Sequence, residues 1–132
     1  MSGYFAAYGE HGLECDSSLV VREKYLSPEA TAVLIKEKAP SAVLAVARNA
    51  ESAWLGIKQL GLSIPRDISF IAYDDINWMK MLGITAVSHP LEDIAGAVCR
   101  RLIVLLEARE RQAAEKVVLK SVLTHRESVG DI

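Results

Sequence analysis

The sequence predicts an α/β fold, a three-layer lobe in which helices cover both faces of a mainly parallel β-sheet. Short apolar runs alternate along the chain with longer segments of helical periodicity, the pattern typical of βα units. The run at residues 42–46 contains no polar residue, as expected for a strand buried on both faces. With 132 residues, 51% of them hydrophobic and 24% charged, the chain can form one globular domain with a core.

The first part of the chain is predicted to form a helix, a strand and a second helix. Residues 3–11 are a helix that Gly12 ends, because glycine readily adopts the left-handed conformation found after a helix. Residues 19–21, a leucine and two valines, predict a short strand. The second helix begins at Pro28 with Ser27 as its N-cap, since serine can accept a hydrogen bond from the first turn.

The middle of the chain is predicted to add two buried strands. The strand at 42–46 is followed by a helix at about 50–60, which Gly61 ends. Residues 68–73 form the third strand, and a loop or short helix follows at 77–82. Two strands joined by a helix favour a parallel arrangement.

The last part of the chain contains the longest predicted helix. A brief extended piece at 85–88 precedes this helix, which spans about 91–111, and one or two strands follow within 117–124. The helix has apolar residues at the 3–4 spacing of one buried face, but its middle is apolar nearly all round. We therefore expect it to be covered on two sides.

Charge, cysteines and targeting signals narrow the class of protein. The net charge of −2 gives no broad basic surface for nucleic acid. Cys15 and Cys99 sit in no metal-binding spacing, and we interpret both as reduced thiols, with a disulfide as the weaker alternative. No signal peptide opens the sequence and no apolar run reaches the roughly 18 residues of a membrane span. The expectation is a cytoplasmic protein that does not contact a membrane.

Candidate ligand contacts lie near the carboxyl ends of the predicted strands, where open parallel sheets bind ligands. They are Tyr25, Arg48, Asn49, Asp74 and Trp78. Carboxylates and amides exchange hydrogen bonds with hydroxyl groups, and aromatic rings cover the apolar face of a sugar, so this set suits a polyol. Simpler explanations stay open: a helix N-cap for Asn49, a solvated turn acid for Asp74, and packing for the aromatic residues.

Enzyme signatures are sparse. The sequence has no glycine-rich phosphate loop and no Gly-x-Ser-x-Gly nucleophile turn. Its histidines, His11, His89 and His125, have no spacing that suggests a metal site or a triad. A phosphoacceptor domain would need its acidic pair after the first strand, whereas Asp74 and Asp75 follow the third. We predict no catalytic residue, no cofactor and no metal ligand.

Several segments together resemble the C-terminal half of LacI/GalR-type transcription regulators, in order and over nearly the whole chain. That family has an Arg-x-x-Gly-Phe segment, a Pro-Thr-Ala opening, a Gly-Leu-x-Val-Pro-x-Asp run into Asp-Asp, a Gln-Pro motif and a terminal Arg-x-Ser. The matching segments are Gly3-Tyr4-Phe5-Ala6-Ala7, Pro40-Ser41-Ala42-Val43-Leu44-Ala45, residues 60–75, Thr85-Ala86-Val87-Ser88-His89-Pro90-Leu91 and Arg126-Glu127-Ser128.

The resemblance implies a type I periplasmic-binding-protein-like fold that binds a small, sugar-like effector between two lobes. In this family effector binding shifts the balance between DNA-binding and released states. The first acid of the pair accepts hydrogen bonds from effector hydroxyls, a role that the resemblance assigns to Asp74, with Asp75 structural. Relatives carry an Asn-Asp pair after the second strand, where this chain has Arg48 nearby, and Asn49 matches only if the spacing shifts. An arginine there favours an anionic effector. His89 stands where relatives have glutamine.

The resemblance also implies a division of the chain. Residues 1–82 and 117–128 correspond to the second lobe, and 83–116 to a segment that in relatives belongs to the first lobe. These residues do not include the family's DNA-binding helix-turn-helix. The resemblance therefore implies that DNA is contacted only through that separate domain. The apolar helix at 91–111 then lacks its usual partners, and we expect it to pack against another copy in a homo-oligomer. The alternative function is a stand-alone solute-binding lobe without any link to DNA.

Overall fold

The computed structural model describes residues 2–108 and 113–130. Within them it contains five α-helices and one sheet of four strands. The helices are α1 Ser2–Glu10, α2 Pro28–Lys38, α3 Ala47–Gln59, α4 Asn77–Met81 and α5 Leu91–Glu107. The strands are β1 Ala42–Val46, β2 Ser69–Tyr73, β3 Thr85–Ser88 and β4 Val122–Thr124.

The sheet has the order β1-β2-β3-β4 and is mainly parallel, as predicted. β1, β2 and β3 run parallel, and β4 returns antiparallel to β3. Val46, Tyr73 and Val87 lie side by side in the register, so the three parallel strands end at one edge. β1 is itself the outer strand of the sheet formed by the described residues.

The core lies between the sheet and the helical pair α2 and α3. Phe70 and Ala72 of β2 are fully buried on this face, together with Ile57 of α3. Trp54 meets the Phe70 ring edge-on at 5.7 Å between centroids. The two helices approach closely at Gly56, where a Cβ atom would lie 2.8 Å from the Pro28 carbonyl oxygen.

The opposite face of the sheet carries exposed apolar side chains. Alternation along the strands directs Leu44, Val46, Tyr73 and Leu123 to this side, where they are 39–60% exposed. α1 does not cover them; its aromatic rings pack on one another, Tyr4 against Tyr8 at 5.1 Å. The α/β class with its mainly parallel sheet is confirmed, and these four side chains stay exposed within the described residues.

Several helices begin or end at the residues that the sequence predicts. The Ser27 side chain accepts a hydrogen bond from the Ala30 N–H, 3.2 Å, as an N-cap should. Gly12 and Gly61 both have positive φ, and the N–H of the residue after each reaches back to a carbonyl five positions earlier. This is the glycine-ended helix geometry that the sequence predicts.

Two local predictions were wrong. Residues 19–21 do not form a strand: Ser17–Leu19 is a 3-10 turn, because the Asp16 carboxylate accepts the Ser18 N–H at 2.8 Å and turns the chain. α3 begins at Ala47 rather than near residue 50, since β1 runs directly into it without a capping side chain.

α5 stands apart from this core and has no buried residue. The Arg101 guanidinium holds residues 113–115 beside the helix: it donates to the Ala113 carbonyl and pairs with Glu115 at 3.6 Å. The end of the predicted helix at 91–111 lies partly outside the described residues. Thr85–Ser88 is a strand of the sheet, and the predicted division of the chain into 1–82 with 117–128 and 83–116 stays a prediction.

Candidate functional site

The carboxyl edge of the sheet gathers the polar residues that follow three strands. Val46 of β1, Tyr73 of β2 and Val87 of β3 are paired in register. β1 continues into α3, Asp74 follows β2, and His89 follows β3. Residues 2–108 and 113–130 contain no cluster of three His, Cys, Asp or Glu that could hold a metal ion. The edge carries hydrogen-bonding side chains on the segments that follow β2 and β3.

Asp74 occupies this edge in an unusual backbone conformation. Its φ is +80°, in the left-handed region that most residues avoid and that aspartate tolerates better than most. The Asp74 N–H donates to the Val87 carbonyl at 2.9 Å, which anchors the turn to β3. The side chain is 37% exposed, so its carboxylate remains accessible at the end of β2.

The His89 side chain lies beside the Asp74 carboxylate. Its Nε2 lies 3.3 Å from Asp74 Oδ1, and its Nδ1 lies 3.0 Å from Ser121 Oγ. The Tyr73 ring meets the imidazole edge-on at 5.1 Å between centroids. The sequence prediction did not include His89 or Ser121 among the site residues. His89 could have been found from its replacement of the family's glutamine, whereas Ser121 carries no comparable signal.

Asp75 has a structural role. Both of its carboxylate oxygens accept hydrogen bonds from the Arg126 guanidinium, at 2.9 and 2.7 Å, and Arg126 also donates to the Ile84 carbonyl. The Asp75 side chain is 8% exposed and that of Arg126 19%. The hydrogen bonds from Arg126 lower the pKa of Asp75 against the raising effect of burial. The two neighbouring acids thus differ in environment.

Asn49 holds the loop that carries Tyr25. Its Oδ1 accepts the Leu26 N–H at 3.1 Å, and its Nδ2 donates to the Glu23 carbonyl at 3.3 Å. The N-cap of α3 is Val46, so the alternative that Asn49 caps this helix is wrong. Tyr25 on the loop is 62% exposed, which leaves its ring accessible.

The remaining two candidates differ in how closely they are held. Arg48 lies exposed in the first turn of α3, next to Asn49. Trp78 is half-buried in α4 and meets Trp54 edge-on at 6.4 Å, which joins it to the core cluster. The structure thus brings Asp74 to His89, joins Asn49 to the Tyr25 loop, and ties Trp78 to the core.

Two further features of the described residues concern the cysteines and membrane-spanning helices. Cys15 and Cys99 are free thiols. Within the part of the chain that the structure describes, no helix combines the length and the apolar character needed to cross a membrane.

Comparisons with known proteins identify a family for nearly the whole chain. Residues 1–129 match the periplasmic binding protein-like domain. The chain is 30% identical over 137 residues to a probable opine utilization operon repressor of Rhizobium rhizogenes, and 27% identical over 145 residues to the arabinose metabolism transcriptional repressor of Geobacillus stearothermophilus. A LacI-family regulator from Enterococcus faecium, solved with bound ribose, has a similar fold, with a TM-score of 0.78 and 22% identity.

The region matched by this chain makes up only part of the length of each of these proteins. The alignments cover 96–100% of this chain. They cover 69% of the Rhizobium protein, 39% of the Geobacillus protein and 49% of the Enterococcus chain. Both named relatives are transcriptional repressors.

Proposed function

The chain belongs to the periplasmic binding protein-like domain family, in its branch of LacI-type transcription regulators, and from this premise we propose that it is the effector-binding region of a ligand-responsive regulator. It binds a small molecule rather than catalysing a reaction, and acts in the cytoplasm. The effector modulates DNA binding by a helix-turn-helix outside the matched region. Coupling arises because the effector prefers one of two states of the regulator.

The proposal depends on the position of the Asp74 carboxylate, which is fixed and accessible at the carboxyl edge of the sheet. The Asp74 backbone is fixed by the hydrogen bond to β3, its φ of +80° sets the turn, and the side chain is 37% exposed at the carboxyl edge. A fixed carboxylate at this edge is suited to accept hydrogen bonds from a ligand that donates them. We assign to Asp74 the contact with effector hydroxyl groups.

The other candidate residues surround this carboxylate in our proposal. Asn49 keeps one N–H and one lone pair beyond the two bonds it makes to the 23–26 loop, so it can both hold Tyr25 and contact the effector. The exposed Tyr25 ring covers an apolar face of the effector, and Trp78 extends that surface from its anchored position beside Trp54.

The proposed effector class is a small polyhydroxylated molecule, with or without a carboxylate. The Rhizobium relative is named for opine utilisation and the Geobacillus relative for arabinose metabolism. Arg48, exposed in the first turn of α3, favours an effector that also carries an anionic group. We expect Arg48→Ala to weaken binding of a sugar acid and to leave a neutral sugar unaffected; equal titration curves for the sugar acid would contradict this assignment.

Calorimetric titration of the chain with L-arabinose, D-ribose and D-gluconate tests the proposed function. At least one probe is expected to bind, and Asp74→Asn should weaken it about tenfold or more, because a hydrogen bond to a charged group is lost. Asp93→Asn on α5 is the matched control, since it removes an exposed carboxylate away from the edge. If no probe binds, or if Asp74→Asn behaves like the control, the proposal fails.

We further propose that the regulator is a homo-oligomer that covers α5. The helix has no buried residue, and the six large hydrophobic side chains that follow Ile94 are at least 44% exposed even though they lie on more than one side of it. They are Val98, Leu102, Ile103, Val104, Leu105 and Leu106. Monomeric proteins rarely expose so continuous an apolar surface. Light scattering at micromolar concentration should therefore give a mass above that of one chain.

A further inference from the structure

His89 connects two polar side chains from distant parts of the sequence. Its Nε2 faces Asp74 Oδ1 at 3.3 Å and its Nδ1 faces Ser121 Oγ at 3.0 Å. Asp74 follows β2, His89 follows β3, and Ser121 immediately precedes β4. The three side chains therefore join the ends of three strands across the edge where we place the effector.

The chemistry of the three groups determines where the imidazole hydrogen lies. An ionised carboxylate can only accept hydrogen bonds, so Nε2 must carry a hydrogen to interact favourably with Asp74. In the neutral ring Nδ1 is then an acceptor, and the serine hydroxyl can rotate to donate to it. Asp74 therefore selects the tautomer with the hydrogen on Nε2, and the Ser121 hydroxyl supplies the matching donor to Nδ1.

The surroundings also restrict the orientation of the ring. The Tyr73 ring meets the imidazole edge-on, and the His89 side chain is 30% exposed, so the ring is held between Tyr73 and the segment before β4. With His89 on Oδ1, the Oδ2 atom of Asp74 remains available as an acceptor.

We propose that His89 and Ser121 are positioning residues that orient the Asp74 carboxylate for an effector hydroxyl, an inference that rests on the proposed function. A hydroxyl can donate to Oδ2, whereas a carboxylate placed there has no hydrogen to donate and is repelled. The Asp74 end of the site therefore selects a hydroxyl. Any anionic group of the effector lies elsewhere, on the side of Arg48.

Two-bond ¹H–¹⁵N correlation spectra at pH 8 show which imidazole nitrogen carries the hydrogen. The chain has three histidines, and the signals missing in His89→Gln identify His89. We expect the hydrogen on Nε2 in the wild type, and in Ser121→Ala a change in the Nδ1 resonance, because that nitrogen loses its hydrogen bond. Ser88→Ala is the matched control, because the Ser88 hydroxyl also bonds the β4 region, at the Val122 carbonyl, without touching His89.

Calorimetry with L-arabinose, D-ribose and D-gluconate supplies the second readout. For a probe that binds the wild type, Ser121→Ala should weaken affinity roughly three- to tenfold and His89→Ala at least as much, the loss expected for one or two hydrogen bonds. His89→Gln should retain more affinity than His89→Ala, because its amide can still donate to Asp74. Ser88→Ala should match the wild type within about twofold.

The outcomes separate this inference from the proposed function. A hydrogen on Nδ1 in the wild type, or a Ser121→Ala variant unchanged in both the Nδ1 resonance and affinity, overturns the positioning role while effector binding stands. If no probe binds the wild type, the proposed function and the hydroxyl selection fail together. The Nδ1 resonance then still decides whether Ser121 bonds His89.

Discussion

Asp74 and Asp75 are adjacent in sequence, but their environments give them different roles. The Asp75 side chain is 8% exposed and bonded through both oxygens to Arg126, whereas the Asp74 side chain is 37% exposed and faces His89. One acid therefore fastens the loop after β2 to the chain beyond β4, at Arg126, and the other remains available at the edge. A substitution at each should affect a different property.

Asp75→Asn should destabilise the fold without abolishing effector contacts. Removing one partner of a nearly buried ion pair leaves the Arg126 charge uncompensated, which costs about 3 kcal/mol of unfolding free energy. Urea unfolding of the variant and the wild type measures this difference. Asp93→Asn, an exposed acid on α5, should change stability by less than about 0.5 kcal/mol. Equal urea midpoints for the Asp75 variant and the wild type would contradict the buried-pair assignment.

The same ion pair should make stability depend on pH in the acidic range. Hydrogen bonds from Arg126 lower the pKa of Asp75 in the folded state. A group with a lowered folded pKa stabilises fully above its unfolded value of about 3.9, and that contribution is lost as the pH falls through the folded pKa. The stability difference between wild type and Asp75→Asn should thus be constant near neutral pH and shrink below about pH 4. A difference that persists unchanged at pH 3 would rule out this linkage.

Residue roles at the edge could be predicted only where the signal is local. Asp74 follows a recognisable strand, so its place at the carboxyl edge was predicted from sequence. Ser121 lies 32 residues after its partner His89, and the contact exists only because β4 returns beside β3. Asn49 likewise bonds residues more than 20 positions earlier. Such partners depend on tertiary packing, which the sequence pattern does not specify.

α2 and α3 pack closely against each other at Gly56. A Cβ atom at Gly56 would lie 2.8 Å from the Pro28 carbonyl oxygen and 3.0 Å from the Ala32 nitrogen, and both are backbone atoms that cannot rotate away. Gly56→Ala should therefore destabilise the chain by about 1–3 kcal/mol, although alanine is the better helix former.

Gly9→Ala is the matched control for this helix contact. Gly9 is also helical, but nothing lies within 4 Å of the Cβ that alanine would add. Its thermal midpoint should be unchanged or slightly raised, by up to about 1 kcal/mol of stability. If both variants lowered the midpoint equally, the close approach of α2 and α3 would not be the cause.

Elements with their own capping signals were predicted well, and those without were not. Ser27-Pro28, Gly12 and Gly61 each fix a helix end through a local hydrogen bond or a left-handed residue. The apolar residues 19–21 lack a neighbouring strand in the described structure, and the Asp16 side chain turns the chain just before them. A strand needs a partner, so composition alone predicted one wrongly.

At the scale of the whole molecule, the fold class followed from the alternation of helices and strands, but its packing did not. Sequence periodicity indicated a helix covered on two sides at 91–111, and in the structure α5 has no buried residue. Periodicity reports which residues prefer burial and not what buries them. The apolar side chains of α5 therefore give the clearest test of assembly.

Leu102→Lys should reduce the molecular mass seen by light scattering, because it places a charge in the proposed contact. Leu102 is 52% exposed, so the substitution costs little within one chain and circular dichroism should keep its helical signal. Met81→Lys, at a residue 85% exposed on α4, is the control and should keep the wild-type mass. A monomeric wild type with full helix content would exclude the proposed assembly.

β1 is the outer strand of the sheet that the described residues form, and its five residues Ala-Val-Leu-Ala-Val carry neither charge nor proline. The backbone groups on the outer side of such a strand can template strand addition from another molecule, the route by which soluble chains begin to aggregate. Pro40 precedes the strand and Arg48 follows it, and such flanking residues interrupt growth of a stacked sheet. Arg48 therefore contributes to solubility as well as to the proposed site, and replacing it should make the chain harder to concentrate.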